Sequence, residues 1–216
     1  GLQALYEFKE ATGLTVADTS GVEPALNLTI GNLEAVAWGA DSLTVTAETS
    51  ISSGEAAVKI EVAGEESDEA TVEAWIKTTA DLGDYARIVT VSPDQNSRDL
   101  ALIQQGQSYL GYFRTSVSSS GRPLIDTPSG DVVAGELTHL VATRGADGTR
   151  RFYVNGVLRS RSVLEGTKDN WSAYPLTLAN ENGGGRHWLG TMHQVACYTR
   201  SLTSDEVAQN FAAGAD

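Results

Sequence analysis

Glu69 and Glu73 are the carboxylate pair in this sequence that most resembles a hydrolytic site, in which one acid protonates a leaving oxygen and the other serves as nucleophile or base. In a regular strand the two would stand about 13 Å apart. Glycoside hydrolysis uses roughly 5–9.5 Å, so the pair reads as an acidic loop running into a core strand, and no catalytic residue is expected. Histidine could serve a metal, but His187 and His193 are six strand residues, or about 20 Å, apart. His139 lies elsewhere in the chain, and structural or surface roles are expected for all three. Hard oxygen ligands are a better match to one Ca²⁺, the only cofactor the sequence points to. Asp94, Asn96 and Asp99 supply three oxygen side chains within residues 93–99, and Asp18 lies in an early turn. Neither segment has EF-hand spacing, and ordinary Asx turns explain both equally well. A sugar site needs exposed rings beside polar groups. Trp171 and Tyr174, in the loop 169–174, are the first candidates. Tyr112 and Arg114, two apart on one strand face, are the second. Loop-anchoring aromatics are the competing explanation. Trp75 and Trp188 are expected in the interior.

Other chemistries find little support. No G-x-S-x-G nucleophile elbow occurs, and Gly183–Gly185 precede a strand instead of opening a phosphate-binding helix. With 28 acidic and 15 basic residues the net charge is −13, which disfavours nucleic-acid backbones and anionic membranes as partners. No apolar run approaches the ~20 residues that span a bilayer, so no membrane insertion is expected. The single cysteine, Cys197, permits no internal disulfide and falls in an alternating strand, where a buried thiol is expected.

The elements that would position these groups are short strands. Alternating apolar segments of four to eight residues, punctuated by Gly, Asn, Asp and Ser, predict strands at 4–8, 26–30, 42–45, 71–77, 87–91, 100–104, 109–115, 138–143, 151–154, 176–179 and 189–198. Asn155-Gly156 and Asp147-Gly148 predict tight hairpins. One helix is expected, at the C-terminus, with Thr203 and Glu206 forming a capping box, Val207 and Phe211 on one face, and Gly214 ending it. Residues 64–69 and 116–135 read as surface loops.

Five segments in order resemble the bacterial laminin-G-like, concanavalin-A-like jelly-roll domains. They are ALYEFKEATGLTVADTSG (4–21), TVEAWIK (71–77), the strand around His139, Val141 and Ala142, YVNG (153–156), and Gly190 through Glu206. Leu137 and Gln194 depart from that pattern, and the second removes an acidic partner for Arg200. Glycosidases of the superfamily carry E-x-D-x-E, whereas Thr71 stands here at the Asp position. The resemblance implies an all-β, antiparallel β-sandwich of jelly-roll type with a short C-terminal helix, forming one domain over 1–216 excised from a longer protein. It also implies a non-catalytic, extracellular or cell-surface recognition module, monomeric in isolation, whose partner is a glycan, with the secretion signal outside this sequence. The alternative is a surface-protein contact or architectural module. A glycosidase or polysaccharide lyase requires acids, or Tyr, His and Arg, to assemble in a cleft.

Overall fold

A computed structural model describes residues 1–79, 82, 85–118 and 120–215. In chain order the strands are β1 (Leu2–Tyr6), β2 (Thr15–Val16), β3 (Leu28–Ile30), β4 (Val36–Trp38), β5 (Leu43–Val45), β6 (Ile51–Ala56), β7 (Ala70–Thr78), β8 (Ala86–Val91), β9 (Leu100–Gln105), β10 (Ser108–Phe113), β11 (Ile125–Asp126), β12 (Thr138–Arg144), β13 (Thr149–Val154), β14 (Val157–Val163), β15 (Pro175–Leu178) and β16 (Gly190–Tyr198). Helix α1 (Val58–Ser67) follows β6, and α2 (Ser204–Ala213) follows β16. One sheet runs β14-β13-β12-β7-β16-β5-β4, with β1 also paired to β16; the other runs β11-β10-β9-β8-β15-β6-β3-β2. The paired strands are antiparallel, and the main apolar cluster fills the space between the sheets. This is the expected sandwich.

All eleven expected strands are present, because their period-two patterns put one apolar face against the opposite sheet. The Asn155-Gly156 turn has φ of 51° and 75°, the positive pair that a type I′ hairpin requires. The capping box of Thr203 and Glu206 opens α2 as read from sequence. Arg200, which lacks an acid at position 194, pairs instead with Glu206 at 2.7 Å.

Helix α1 was not expected, and it takes in residues 64–67 of the presumed acidic loop. Val58, Ile60 and Val62 alternate with Lys59 and Glu61 as a strand would, which hides the helical spacing of its two buried positions, Ile60 and Gly64. Gly64 is required there: a Cβ would stand 2.6 Å from Cζ3 of Trp171. The stretch 116–135, of which Ser119 lies outside the described residues, includes β11.

The strand β9 positions the candidate site. Leu100 and Leu102 enter the main core, while Ala101 and Ile103 point to the outer face and are buried there with Leu110 and Tyr112 beneath Tyr85 and Leu124. Its unbroken apolar run is that of a strand covered on both sides. The loop after β10 folds back over that face, with Gly121 so close that a Cβ would lie 3.3 Å from Cβ of Tyr112.

Candidate functional site

On the outer face of β8–β10 lies a cavity of about 320 Å³ bordered by Arg87, Arg98, Arg122 and Arg186. Tyr85, Tyr112, Gln95, Asn96 and Ser120 complete its wall, and no acidic side chain is among the described residues that line it. Arg87 is placed by β8 and is 2% exposed. Its Nε donates to Glu181 Oε2 at 2.7 Å, and Glu181 is held in turn by Ser92 Oγ. Arg98 precedes β9 and is 5% exposed. Its guanidinium carbon lies 4.7 Å over the Tyr112 ring, while its terminal nitrogens donate to the carbonyls of Gln95 and Ser120. The Arg98 Nε is buried without a hydrogen-bond partner. Burial, then the neighbouring charges of Arg87 and Arg122, pull the Arg98 pKa below its ordinary value. The guanidinium carbon of Arg186 lies 5.7 Å from the centroid of the Tyr85 ring.

The residues singled out from sequence sit differently. Trp171 is 4% exposed and belongs to the main core, packed on Gly64 of α1, with Nε1 donating to the Arg114 carbonyl at 2.9 Å. Its ring offers no free face to a sugar, which corrects the expectation of an exposed loop aromatic. Lys168 lies 5.7 Å over that ring; burial and the Arg144 charge bring its pKa down to about 7. Tyr174 is half-buried against the same core, and its hydroxyl accepts from Arg114 Nη1 at 3.4 Å. Tyr112 and Arg114 do not share a face as a strand would arrange them. β10 ends at Phe113, so Tyr112 lines the cavity with its ring covered by Arg98, and Arg114 turns to Asp99 at 3.1 Å.

The calcium candidates do not converge either. Asp94 accepts from the N–H groups of Asn96 and Ser97 in an Asx turn, Asn96 borders the cavity, and Asp99 is buried. Burial pushes Asp99 up to about 7 against the pull of the Ser172 N–H and Arg114. Asp18 is already saturated: Lys59 Nζ lies 2.6 Å from its Oδ2, and Leu5, Ser20 and Leu26 donate their N–H groups. The ammonium sits where a hard cation would, and Val22 supplies it a carbonyl at 2.6 Å. Among the described residues, no group of three His, Cys, Asp or Glu side chains could hold a metal ion.

Glu73 is enclosed as well. His139 Nε2 lies 2.6 Å from Oε1, Tyr198 donates to Oε2 at 2.9 Å, and Asn210 Nδ2 reaches both oxygens at 3.0 and 3.1 Å. His139 Nδ1 is buried without a partner, so the tautomer with the proton on Nε2 suits the site. Phe211 stacks over Trp75 and His139 and closes the cluster beneath α2. Glu69 accepts from the Ser201 N–H. The single thiol, Cys197, is pushed up to about 12 by burial.

Sequence reasoning missed the cavity because its arginines are scattered from 87 to 186 and belong to no motif. The one available signal was the continuous apolar run of β9, which announces a cover on the outer face.

Two eight-stranded antiparallel sheets packed about one apolar core define a jelly-roll sandwich. The chain belongs to the Laminin_G_3 family of the Concanavalin A-like lectin/glucanases superfamily, which it matches over residues 52–208. Comparison with curated proteins finds no match. Among solved structures it resembles domain 4 of AbnA, a GH43 extracellular arabinanase from Geobacillus stearothermophilus, in complex with arabinotriose. The TM-score is 0.70 and the identity 17%, covering 96% of this chain and 97% of that one. The receptor-binding domain of botulinum neurotoxin type G gives 0.67 and 12%, covering 99% and 51%; that of type D gives 0.68 and 12%, covering 98% and 52%. The chain thus spans about half the length of these toxin domains. Such identities speak for the fold alone.

Proposed function

We propose that this domain is a non-catalytic recognition module of an extracellular or cell-surface protein, that its ligand is a carbohydrate, and that the ligand sits in the cavity over β8–β10. The observation that carries this reading is the lining of that cavity: guanidinia over tyrosine rings, with Gln95, Asn96 and Ser120 in the same wall to orient hydroxyls. Its volume is at the lower end of the roughly 300–1,000 Å³ typical of small-molecule sites. Among the described residues lining it there is no Asp, Glu or His to act as general acid, and Glu73 is roofed by α2. Both facts support binding without turnover. A shallow site buries little of a sugar, so single-site affinity is expected to be weak and useful binding to come from multivalency.

A second reading, contact with another protein, is favoured by β14. It is the outer strand of its sheet and leaves Val157, Leu158 and Val163 exposed. A glycan array, probed with and without calcium, separates the two. Binding that is lost in Asn96→Ala without a change in melting temperature supports the cavity. A blank array, with binding of a surface protein abolished by Leu158→Asp, hands the function to β14. Reducing-sugar release above a heat-killed control would refute the non-catalytic reading.

A further inference from the structure

We infer that the cavity is built for the anionic group of an acidic saccharide, a carboxylate or a sulfate; this rests on the carbohydrate reading above and narrows it. Four of the chain's 15 basic residues meet here, although the chain as a whole carries a net charge of −13. Gathering guanidinia at one place costs mutual repulsion, and the lowered pKa of Arg98 registers the cost of burial first and that repulsion second. Within the cavity Arg87 is already neutralised by Glu181, as Arg114 is by Asp99 and Arg144 by Asp68 outside it. Arg98 contacts only carbonyl oxygens and no carboxylate, with Glu181 acting on it from a distance, and its Nε–H remains buried without an acceptor. A buried donor and a charge with no contacting carboxylate, at the wall of an open cavity, form a site that an anion completes.

The geometry favours a planar or tetrahedral oxyanion over a simple halide. Arg98 lies 4.7 Å from the Tyr112 ring centroid and Arg186 5.7 Å from that of Tyr85, so both guanidinia pack against rings, which limits the rotamer freedom left to lose. Asn96 and Ser120, uncharged and adjacent, are suited to the hydroxyls of the ring that bears the anion. The acidity of the whole chain adds a constraint. A densely charged polyanion would be repelled wherever it overhangs the cavity, whereas a saccharide with isolated charges meets only the local positive field.

Calorimetric titration with a galacturonate trisaccharide, a singly sulfated galactose trisaccharide and the neutral galactose trisaccharide tests this. At least one acidic ligand should bind about tenfold or more tightly than the neutral one, as expected of a charge-assisted, bidentate contact. The preference for carboxylate or sulfate identifies which oxyanion fits. Raising NaCl from about 50 mM to about 500 mM should shrink that advantage. Arg122→Gln, on an exposed side chain, should reduce that advantage several-fold, read as the ratio of acidic to neutral affinity. Equal binding of neutral and acidic trisaccharides, insensitive to Arg122→Gln, overturns the inference and leaves the carbohydrate reading standing. If a glycan array also shows no binding of any sugar, both fall.

Discussion

Each sheet buries charge on its outer face, and the two do so in opposite ways. Beneath α2, Glu73 is surrounded by His139, Tyr198 and Asn210, and Phe211 seals the cluster. Over β8–β10, Arg98 lies in the wall of an open cavity with a donor unused and its charge unanswered by any carboxylate that contacts it. In the first, both carboxylate oxygens are satisfied within the chain; in the second, a charged side chain borders open space with one donor unmet. Glu73, the most enzyme-like residue in the sequence, is enclosed by the fold, whereas an arginine that belongs to no motif borders the cavity.

The largest expected effect is at the closed cluster. Glu73→Ala removes the centre of a buried hydrogen-bonded network and should cost about 3–5 kcal/mol, read from denaturant midpoints. A loss below about 1 kcal/mol would mean that α2 is not fastened through this carboxylate.

A smaller effect is expected at Asp18, the second saturated acid. Burial pushes its pKa upward, but Lys59 and the N–H groups of Leu26 and Ser20 prevail and bring it to about 2. Because the folded value lies below the ordinary aspartate value of 3.8, the stabilisation from Asp18 is fully present above that pH and is lost as pH falls toward 2. Thermal melts of the wild type between pH 5 and pH 2 should therefore show an acid-dependent loss that is reduced in Asp18→Asn. Parallel curves for the two proteins would deny that contribution.

The smallest effect sharpens the contrast from the open side. Arg122→Gln should change stability by no more than about 0.5 kcal/mol, as for an exposed residue outside any network. A clear rise in melting temperature would show that the crowded guanidinia strain the free protein; a clear fall would place Arg122 in the fold's own support.

The sandwich was legible because period-two patterns and turn residues are local signals, as in Thr71–Lys77 and Asn155-Gly156. The family resemblance then ordered them. Trp171 was misjudged because its loop neighbours, Asp169, Asn170 and Ser172, are polar, whereas its burial depends on Gly64 more than a hundred residues earlier. Helix α1 escaped notice for the related reason that its β-branched residues alternate like a strand's. Tyr112 and Arg114 were paired by a parity that holds only while the strand continues, and β10 stops between them. The cavity draws on β8, the 95–98 turn, β10, the 120–122 loop and the 186 segment, so only the assembled sheet brings it into being.

The ammonium of Lys59 also has a consequence for how the molecule opens. Its bond to Asp18 joins α1 to the chain between β1 and β3, and the same carboxylate accepts the amides of Leu5, Ser20 and Leu26. If α1 lifts away, a carboxylate and three N–H groups lose their common arrangement; if the N-terminal turn loosens, a lysine is left in a nearly dry place without its counter-charge. Neither part can open cheaply alone, so the two form one cooperative unit. The amides of Leu5, Ser20 and Leu26 and those within α1 should then exchange with solvent as a single event, with one shared opening free energy.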